Sequence, residues 1–288
     1  MNSTDLTQNG SLTLANGTSW AIAAADHYGA DIAATLAKTM RLKTSFSRPV
    51  QRLLIIKNGQ PAEATPYFLH SAVKAESSVE QNKTTICQIP TAKDNDALAL
   101  QLLQLSLVFC SQVEAQGGVL VHGGLAEKSG VGIILAGPGG VGKSTASRRL
   151  PPPWKSLSDD TTLIVRDKKG IYHAHPWPTW STFMFGGKGD SWDVQHSIPL
   201  KAVFLLRQSK KDHAESIGKG QAVCMLNESA EQAWWMLNND FDDHKLQYLN
   251  LQRFNNLCKL IKTIPAYLLH ISKKGSFWEK IEQAIFST

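Results

Sequence analysis

Two rhythms of apolar residues run along the chain. Residues 11–14 and 20–25 read as short strands on either side of Asn16-Gly17, a hairpin signature. Between 31 and 40, Ile32, Leu36 and Met40 recur every four residues, the spacing of one helical face. Residues 53–56 form an apolar strand closed by Asn58-Gly59. The pattern weakens over 61–90, where 75–85 reads as a loop or hairpin. Asn95 or Asp96 is placed to cap a long helix that runs to about Ala115, ahead of Gly117-Gly118.

A different regime follows. Val119-Leu120-Val121 is a strand that ends at His122-Gly123-Gly124, and 127–130 is a turn. Residues 131–136 are nearly all apolar, as in a strand covered on both faces. Residues 163–165 and 171–172 flank the turn Asp167-Lys168-Lys169-Gly170, and 200–206 is a second buried strand. Helices are expected over 228–238 and 242–260, a strand over 267–271 and a closing helix over 278–286. The change of pattern divides the chain into a small α+β unit, 1–94, and an α/β domain, 95–288. The first is expected to present substrate or to mediate assembly into a homo-oligomer.

Composition narrows the function classes. Of 288 residues, 42% are hydrophobic and 19% charged, which excludes a disordered, collagenous or coiled-coil chain. The net charge of +6 favours anions, but the basic residues are scattered, with Lys210-Lys211 and Lys273-Lys274 only pairs. No nucleic-acid partner is expected. The four cysteines, Cys87, Cys110, Cys224 and Cys258, have no C-x-x-C spacing and are too sparse for a disulfide framework. Free thiols in a reducing cytoplasm follow. The first ten residues are polar and lack the pattern of a signal peptide. Residues 97–113 carry no charge, yet contain Gln101, Gln104, Ser106, Ser111 and Gln112 and fall short of a bilayer span. A buried helix is expected there, and no membrane partner.

The strongest chemical signal is Gly137-Pro138-Gly139-Gly140-Val141-Gly142-Lys143-Ser144, a complete G-x-x-x-x-G-K-[ST] followed by Thr145. Glycines let the backbone curl so that successive N–H groups converge on phosphate oxygens. In that arrangement Lys143 reaches the β- and γ-phosphates, and the Ser144 hydroxyl ligates Mg²⁺. The motif needs a strand before it and a helix after it, and 131–136 and 144–149 supply both. Pro151-Pro152-Pro153 then stops the helix.

Asp159 and Asp160 follow 16 and 17 residues beyond Lys143. Adjacent carboxylates at a strand end point to opposite faces unless a turn brings them together. One can hold Mg²⁺ while the other accepts the proton of an attacking hydroxyl. The alternative is a solvated turn that caps Thr161-Thr162. His122, at the end of the preceding strand, is placed to orient a carboxylate or contact substrate, or simply to pack there. The stiff segment His175-Pro176-Trp177-Pro178-Thr179-Trp180-Ser181 offers two indoles that could clamp a base or a peptide, or fill a core loop. Trp234-Trp235 reads as core.

Val121-His122-Gly123, Gly137 to Ser144 and Asp159-Asp160, in register, resemble the HPr-kinase/phosphorylase group of P-loop kinases. That group is related in fold to ATP-dependent phosphoenolpyruvate carboxykinase. A closer resemblance is to the kinase-like member of the SynChlorMet cassette, a gene set for modified peptides. It rests on Arg148-Arg149-Leu150-Pro151-Pro152-Pro153-Trp154, Ser158-Asp159-Asp160, the 175–181 segment, Trp192-Asp193-Val194-Gln195 and Ile198-Pro199-Leu200, with Leu12 to Gly17 and Phe277-Trp278 in support. The resemblance implies an α/β P-loop kinase core of the HPr-kinase/phosphoenolpyruvate-carboxykinase type. It implies ATP and Mg²⁺ as cofactors, Lys143 on phosphate, Ser144 and Asp160 on the metal, Asp159 as acid/base, and His122 beside Asp159. Thr145 stands where HPr kinases carry an acidic residue, and their later glycine-rich signature is missing. The expected acceptor is therefore a Ser/Thr hydroxyl of some other peptide or small protein. The competing expectation is a maturation factor that binds or hydrolyses ATP without phosphorylating its peptide partner.

Overall fold

The computed structural model describes residues 7–43, 51–57, 65–69, 74–77, 84–180, 191–235 and 243–286. They form a mixed α/β protein with two sheets and six helices among the described residues. Packing groups the chain into two compact units, 1–112 with 178–196, and 113–177 with 197–288. A single break near 94 therefore does not separate them: the second half of the proline- and tryptophan-rich stretch rejoins the first unit.

The first unit is built on a six-stranded sheet in the order β1-β2-β3-β6-β5-β4. Its strands are β1 (Thr7–Thr13), β2 (Ser19–Ala24), β3 (Gln51–Lys57), β4 (Thr65–Leu69), β5 (Lys74–Ser77) and β6 (Thr84–Ile89). β1 and β2 make the expected hairpin, whereas β2, β3 and β6 run parallel. β5 pairs antiparallel with β6, as a hairpin would, and residues 78–83 between them lie outside the described residues. Asn58-Gly59 lies outside the described residues.

Helix α1 (His27–Thr39) crosses between β2 and β3 and starts five residues before Ile32, the first of the apolar repeat. Asp26 caps it, accepting from Gly29 N–H at 2.7 Å, while its other carboxylate oxygen accepts from Lys57 N–H at 2.6 Å. Gly29 is required because a Cβ there would lie 2.6 Å from the carbonyl oxygen of Ile55.

Helix α2 (Asn95–Glu114) is capped not by Asn95 or Asp96 but by Asp94, whose carboxylate accepts from Ala97 N–H at 2.7 Å. It is the one described helix long and apolar enough to cross a membrane, with a mean hydropathy of 1.4, and most of its most apolar stretch is buried within the protein. Its polar side chains have partners in the first unit. Gln101 donates to Pro90 O at 2.7 Å and accepts from the Tyr28 hydroxyl at 3.1 Å. Gln112 accepts from Trp20 Nε1 and donates to Thr85 Oγ1, both at 2.7 Å. Trp180 Nε1 donates to Ser106 Oγ at 3.2 Å.

The second unit carries β7 (Val119–Val121), β8 (Gly123–Lys128), β9 (Val131–Ala136), β10 (Lys155–Ser158), β11 (Thr161–Arg166), β12 (Tyr172–Trp177), β13 (Ile198–Gln208), β14 (His213–Ser216) and β15 (Ala266–Ile271). The sheet runs β10-β8-β9-β13-β12-β11-β7. β13 is its hub. Its first two residues pair antiparallel with β12, and its remainder pairs parallel with β9 on one side and β15 on the other. β14 lies on the outer edge of β15.

Alternate residues of β9 divide between two cores. Ile134 and Ala136 face helices α4 (Lys219–Trp234) and α5 (Asp243–Thr263). Ile133 and Leu135 face α3 (Lys143–Arg149) and α6 (Phe277–Phe286). This is why the strand is apolar throughout.

Several expectations are corrected. β7 ends at Val121, ahead of His122 as expected, but Gly123-Gly124 opens a further strand, β8, and the turn into β9 narrows to Ser129-Gly130, both at positive φ. α4 begins at Lys219, nine residues before the expected start. β14 has no apolar run to announce it. Trp234 is buried, but Trp235 ends the helix 63% exposed. His175, Pro176 and Trp177 form the end of β12 and are fully buried, as is Trp180. Those indoles are core and offer no clamp, while Ser181 lies outside the described residues.

One buried polar cluster ties the end of α2 to α4 and α5. Glu114 accepts from Arg253 Nε at 3.2 Å, Trp234 Nε1 at 3.1 Å and Leu120 N–H at 3.1 Å. Asn256 donates to Glu114 O and Gly118 O at 2.8 and 3.0 Å. Burial pushes the Glu114 carboxyl above its ordinary range, although Arg253 and the two N–H groups hold it down.

Candidate functional site

The glycine loop leaves the carboxyl end of β9 and enters α3. Gly137, Gly140 and Gly142 all have positive φ, at 152°, 75° and 104°. Side-chain-bearing residues would be strained at each, so the curl depends on these glycines. A Cβ on Gly139 or Gly140 would meet nothing within 4 Å, so the loop's rim is open. Lys143 folds back over it, donating to Gly137 O at 2.9 Å and Pro138 O at 3.2 Å. Gln208, at the end of β13, donates to Gly140 O and Val141 O at 3.3 and 3.4 Å, steadying the loop from the neighbouring strand. Ser144 is half-buried at the first turn and Thr145 is exposed.

One glycine brings α3 down onto the sheet. A Cβ on Gly124 would lie 2.8 Å from Ser147 Oγ and 3.2 Å from Ser158 O. Gly124 is thus the close-approach point between β8, α3 and the chain that carries the aspartates, while a Cβ on Gly123 would crowd Ile134 and Leu135 of β9.

Asp159 and Asp160 occupy the bend between β10 and β11. Buried hydroxyls hold that bend. Ser158 Oγ accepts from Leu125 N–H at 3.3 Å and lies 3.4 Å from Thr162 Oγ1, which donates to Gly123 O at 2.7 Å. β11 pairs Thr162 with Val121, so the bend arrives beside the end of β7, where His122 stands. His122 Nδ1 is 3.3 Å from Asp160 Oδ1. The histidine therefore pairs with Asp160, not with Asp159. Its backbone is clamped by α4: His122 N–H donates to Ser229 O at 3.1 Å, and Ser229 Oγ donates to His122 O at 2.7 Å.

The charges are coupled. Burial raises the Asp160 pKa, and Asp159 raises it further, while His122 and Lys143 pull it down. Burial lowers the His122 pKa, opposed by Asp160 and reinforced by Lys143. Burial also lowers the Lys143 pKa, against the attraction of Asp160. Lys143, Asp160 and His122 thus share one field at the mouth of the glycine loop, with Asp159 adjacent. A positive side chain, a serine hydroxyl and a carboxylate at an open glycine rim suit an anion and a hard cation. Sequence reasoning missed Ser229 and Gln208, which lie 107 and 68 residues from their partners and carry no local signal.

Fold and site together define a mixed α/β protein whose central strand passes through a glycine loop into a short helix, with a His–Asp pair beside it. The family model for SynChlorMet cassette protein ScmC matches residues 85–287, more than two thirds of the chain, and the chain belongs to that family. The matched region includes the glycine loop, the paired aspartates and His122. No curated protein matches the sequence.

Proposed function

We propose that the chain is an ATP-dependent kinase, with a P-loop core of the HPr-kinase type, that phosphorylates a Ser/Thr hydroxyl of a peptide or small protein in the cytoplasm. The observation that carries this reading is the shared field of Lys143, Asp160 and His122 at a complete G-x-x-x-x-G-K-S loop. Lys143 moves from the loop carbonyls to the β- and γ-phosphate oxygens. Ser144 and Asp160 would hold Mg²⁺, which would supply charge neutralisation on the transferring group. His122 orients Asp160 through the contact at 3.3 Å and is itself fixed by Ser229. Asp159, next to the pair and half-buried, accepts the proton of the attacking hydroxyl. Membership of a cassette family fits an acceptor encoded beside the kinase.

The test is incubation of the protein with Mg-ATP and candidate cassette peptides and carriers, followed by mass spectrometry. A phosphorylated peptide that needs Asp159 supports the assignment. ADP release without any phosphorylated product would favour a maturation ATPase instead.

A further inference from the structure

The outer edge of the second sheet carries a cluster unconnected with the chemistry above. His213 on β14 and His270 on β15 lie directly opposite in the antiparallel ladder. Their rings stack 3.8 Å apart, centroid to centroid, within 14° of parallel. Glu215, two residues after His213, shares its face of the strand. Its Oε1 is 3.2 Å from His270 Nε2. One ligand atom from each of the three side chains lies within 4.8 Å of the others.

These facts call for a ligand more than for a structural role. Glu215 and His213 are exposed, so the cluster is not there to fill the core. The backbone beneath is firm: Leu268, Leu269 and Ile271 are buried in the two cores, which fixes where His270 projects. Zinc–nitrogen and zinc–oxygen bonds of about 2.0–2.2 Å place tetrahedral ligands roughly 3.5 Å apart. His213 and Glu215 are exposed, so their side chains have room to close the cluster toward that spacing. Two imidazoles and one carboxylate suit a borderline transition ion, whereas Mg²⁺ and Ca²⁺ require oxygens.

The geometry points to a divalent transition-metal site, of the Zn²⁺ class, formed by His213, Glu215 and His270. The ion would clip edge strand β14 to β15, with a fourth position open to solvent. The site is independent of the kinase reading, and either can fail alone.

The test uses tag-free, chelator-treated full-length protein titrated with Co²⁺ and followed by visible absorption. One equivalent should bind with the absorption of a low-symmetry N/O site. Zn²⁺ should displace it, and a large excess of Mg²⁺ should not. Loss of an outer-sphere partner already lowers metal affinity by about 10–100-fold, so His213→Ala, His270→Ala and Glu215→Gln should each lower it by on the order of tenfold or more. Circular dichroism checks their folding. Should His270→Ala unfold, the exposed His213→Ala and Glu215→Gln variants carry the test. No saturable binding in wild type, or binding undiminished by His213→Ala or by Glu215→Gln, would overturn the assignment.

Discussion

Arg253→Met isolates the buried carboxylate of Glu114. The guanidinium and carboxylate are 3% and 5% exposed, so water cannot replace the lost partner. Methionine keeps most of the arginine stem's volume, which limits the change to charge and hydrogen bonding. Breaking one side of a buried pair costs about 3–5 kcal/mol when the remaining charge stays uncompensated. The protein can soften that penalty by protonating Glu114, whose pKa burial already raises.

The sign of the pH dependence follows. Between the ordinary carboxylate value, 4.5, and the raised folded value, the folded state binds more protons than the unfolded state. Stability from this group is therefore fully present below the unfolded pKa and is lost as pH rises through the folded pKa, at up to about 1.4 kcal/mol per pH unit. Removing Arg253 raises the folded value further and widens that window upward. Urea unfolding of wild type and Arg253→Met between pH 5 and pH 8 should show a gap that grows with pH. Glu114→Gln combined with Arg253→Met should recover most of the loss at pH 8. A loss under about 1 kcal/mol at neutral pH, unchanged across the range, would refute the buried-pair account.

On the proposed kinase reading Lys143→Ala removes a charged donor to phosphate, worth about 1.5–3 kcal/mol, so titration with a fluorescent ATP analogue should show roughly ten- to hundredfold weaker binding by a protein that melts normally. Asp159→Asn should bind Mg-ATP nearly as wild type does and lose phosphoryl transfer by a factor on the order of 10²–10⁴, read by mass spectrometry of the acceptor; full transfer would remove it from the base role. Asp160→Asn should weaken nucleotide affinity and its Mg²⁺ dependence together, seen by titration at graded Mg²⁺. Gly124→Ala forces a methyl group to 2.8 Å from Ser147 Oγ and should lower stability by about 1–3 kcal/mol in thermal melts, whereas Gly139→Ala, in open space, should leave the melt near that of wild type.

How far the sequence foretells this molecule depends on whether the signal is local. β9 is legible to the residue because both of its faces are buried, and the glycine loop because Gly137, Gly140 and Gly142 each answer a backbone demand. Gly123-Gly124 misleads for the same reason inverted. Paired glycines ordinarily mark a turn, but here they open a strand, and Gly124 is a flat place on it against which Ser147 and Ser158 rest. β14 is a short polar edge strand, and nothing in His213–Ser216 separates it from a loop. The start of α4 is hidden by Gly218 and Gly220, poor helix formers at its opening that tertiary packing overrides. In the site, motif and spacing select Lys143 and the two aspartates. The pairing of His122 with Asp160 instead of Asp159 is decided by the register of β11 on β7. No periodicity encodes that choice.

Helix α2 limits how the chain can be dissected. A fragment beginning at residue 95 would keep this helix but discard Trp20, Tyr28 and Thr85, the hydrogen-bonding partners of its glutamines. The helix would then present a nearly uncharged surface of mean hydropathy 1.4 to solvent. Detergent, a lipid vesicle or another copy of the fragment would be its natural refuge. Shortened proteins of that kind would pellet or co-sediment with membranes as a consequence of the cut itself.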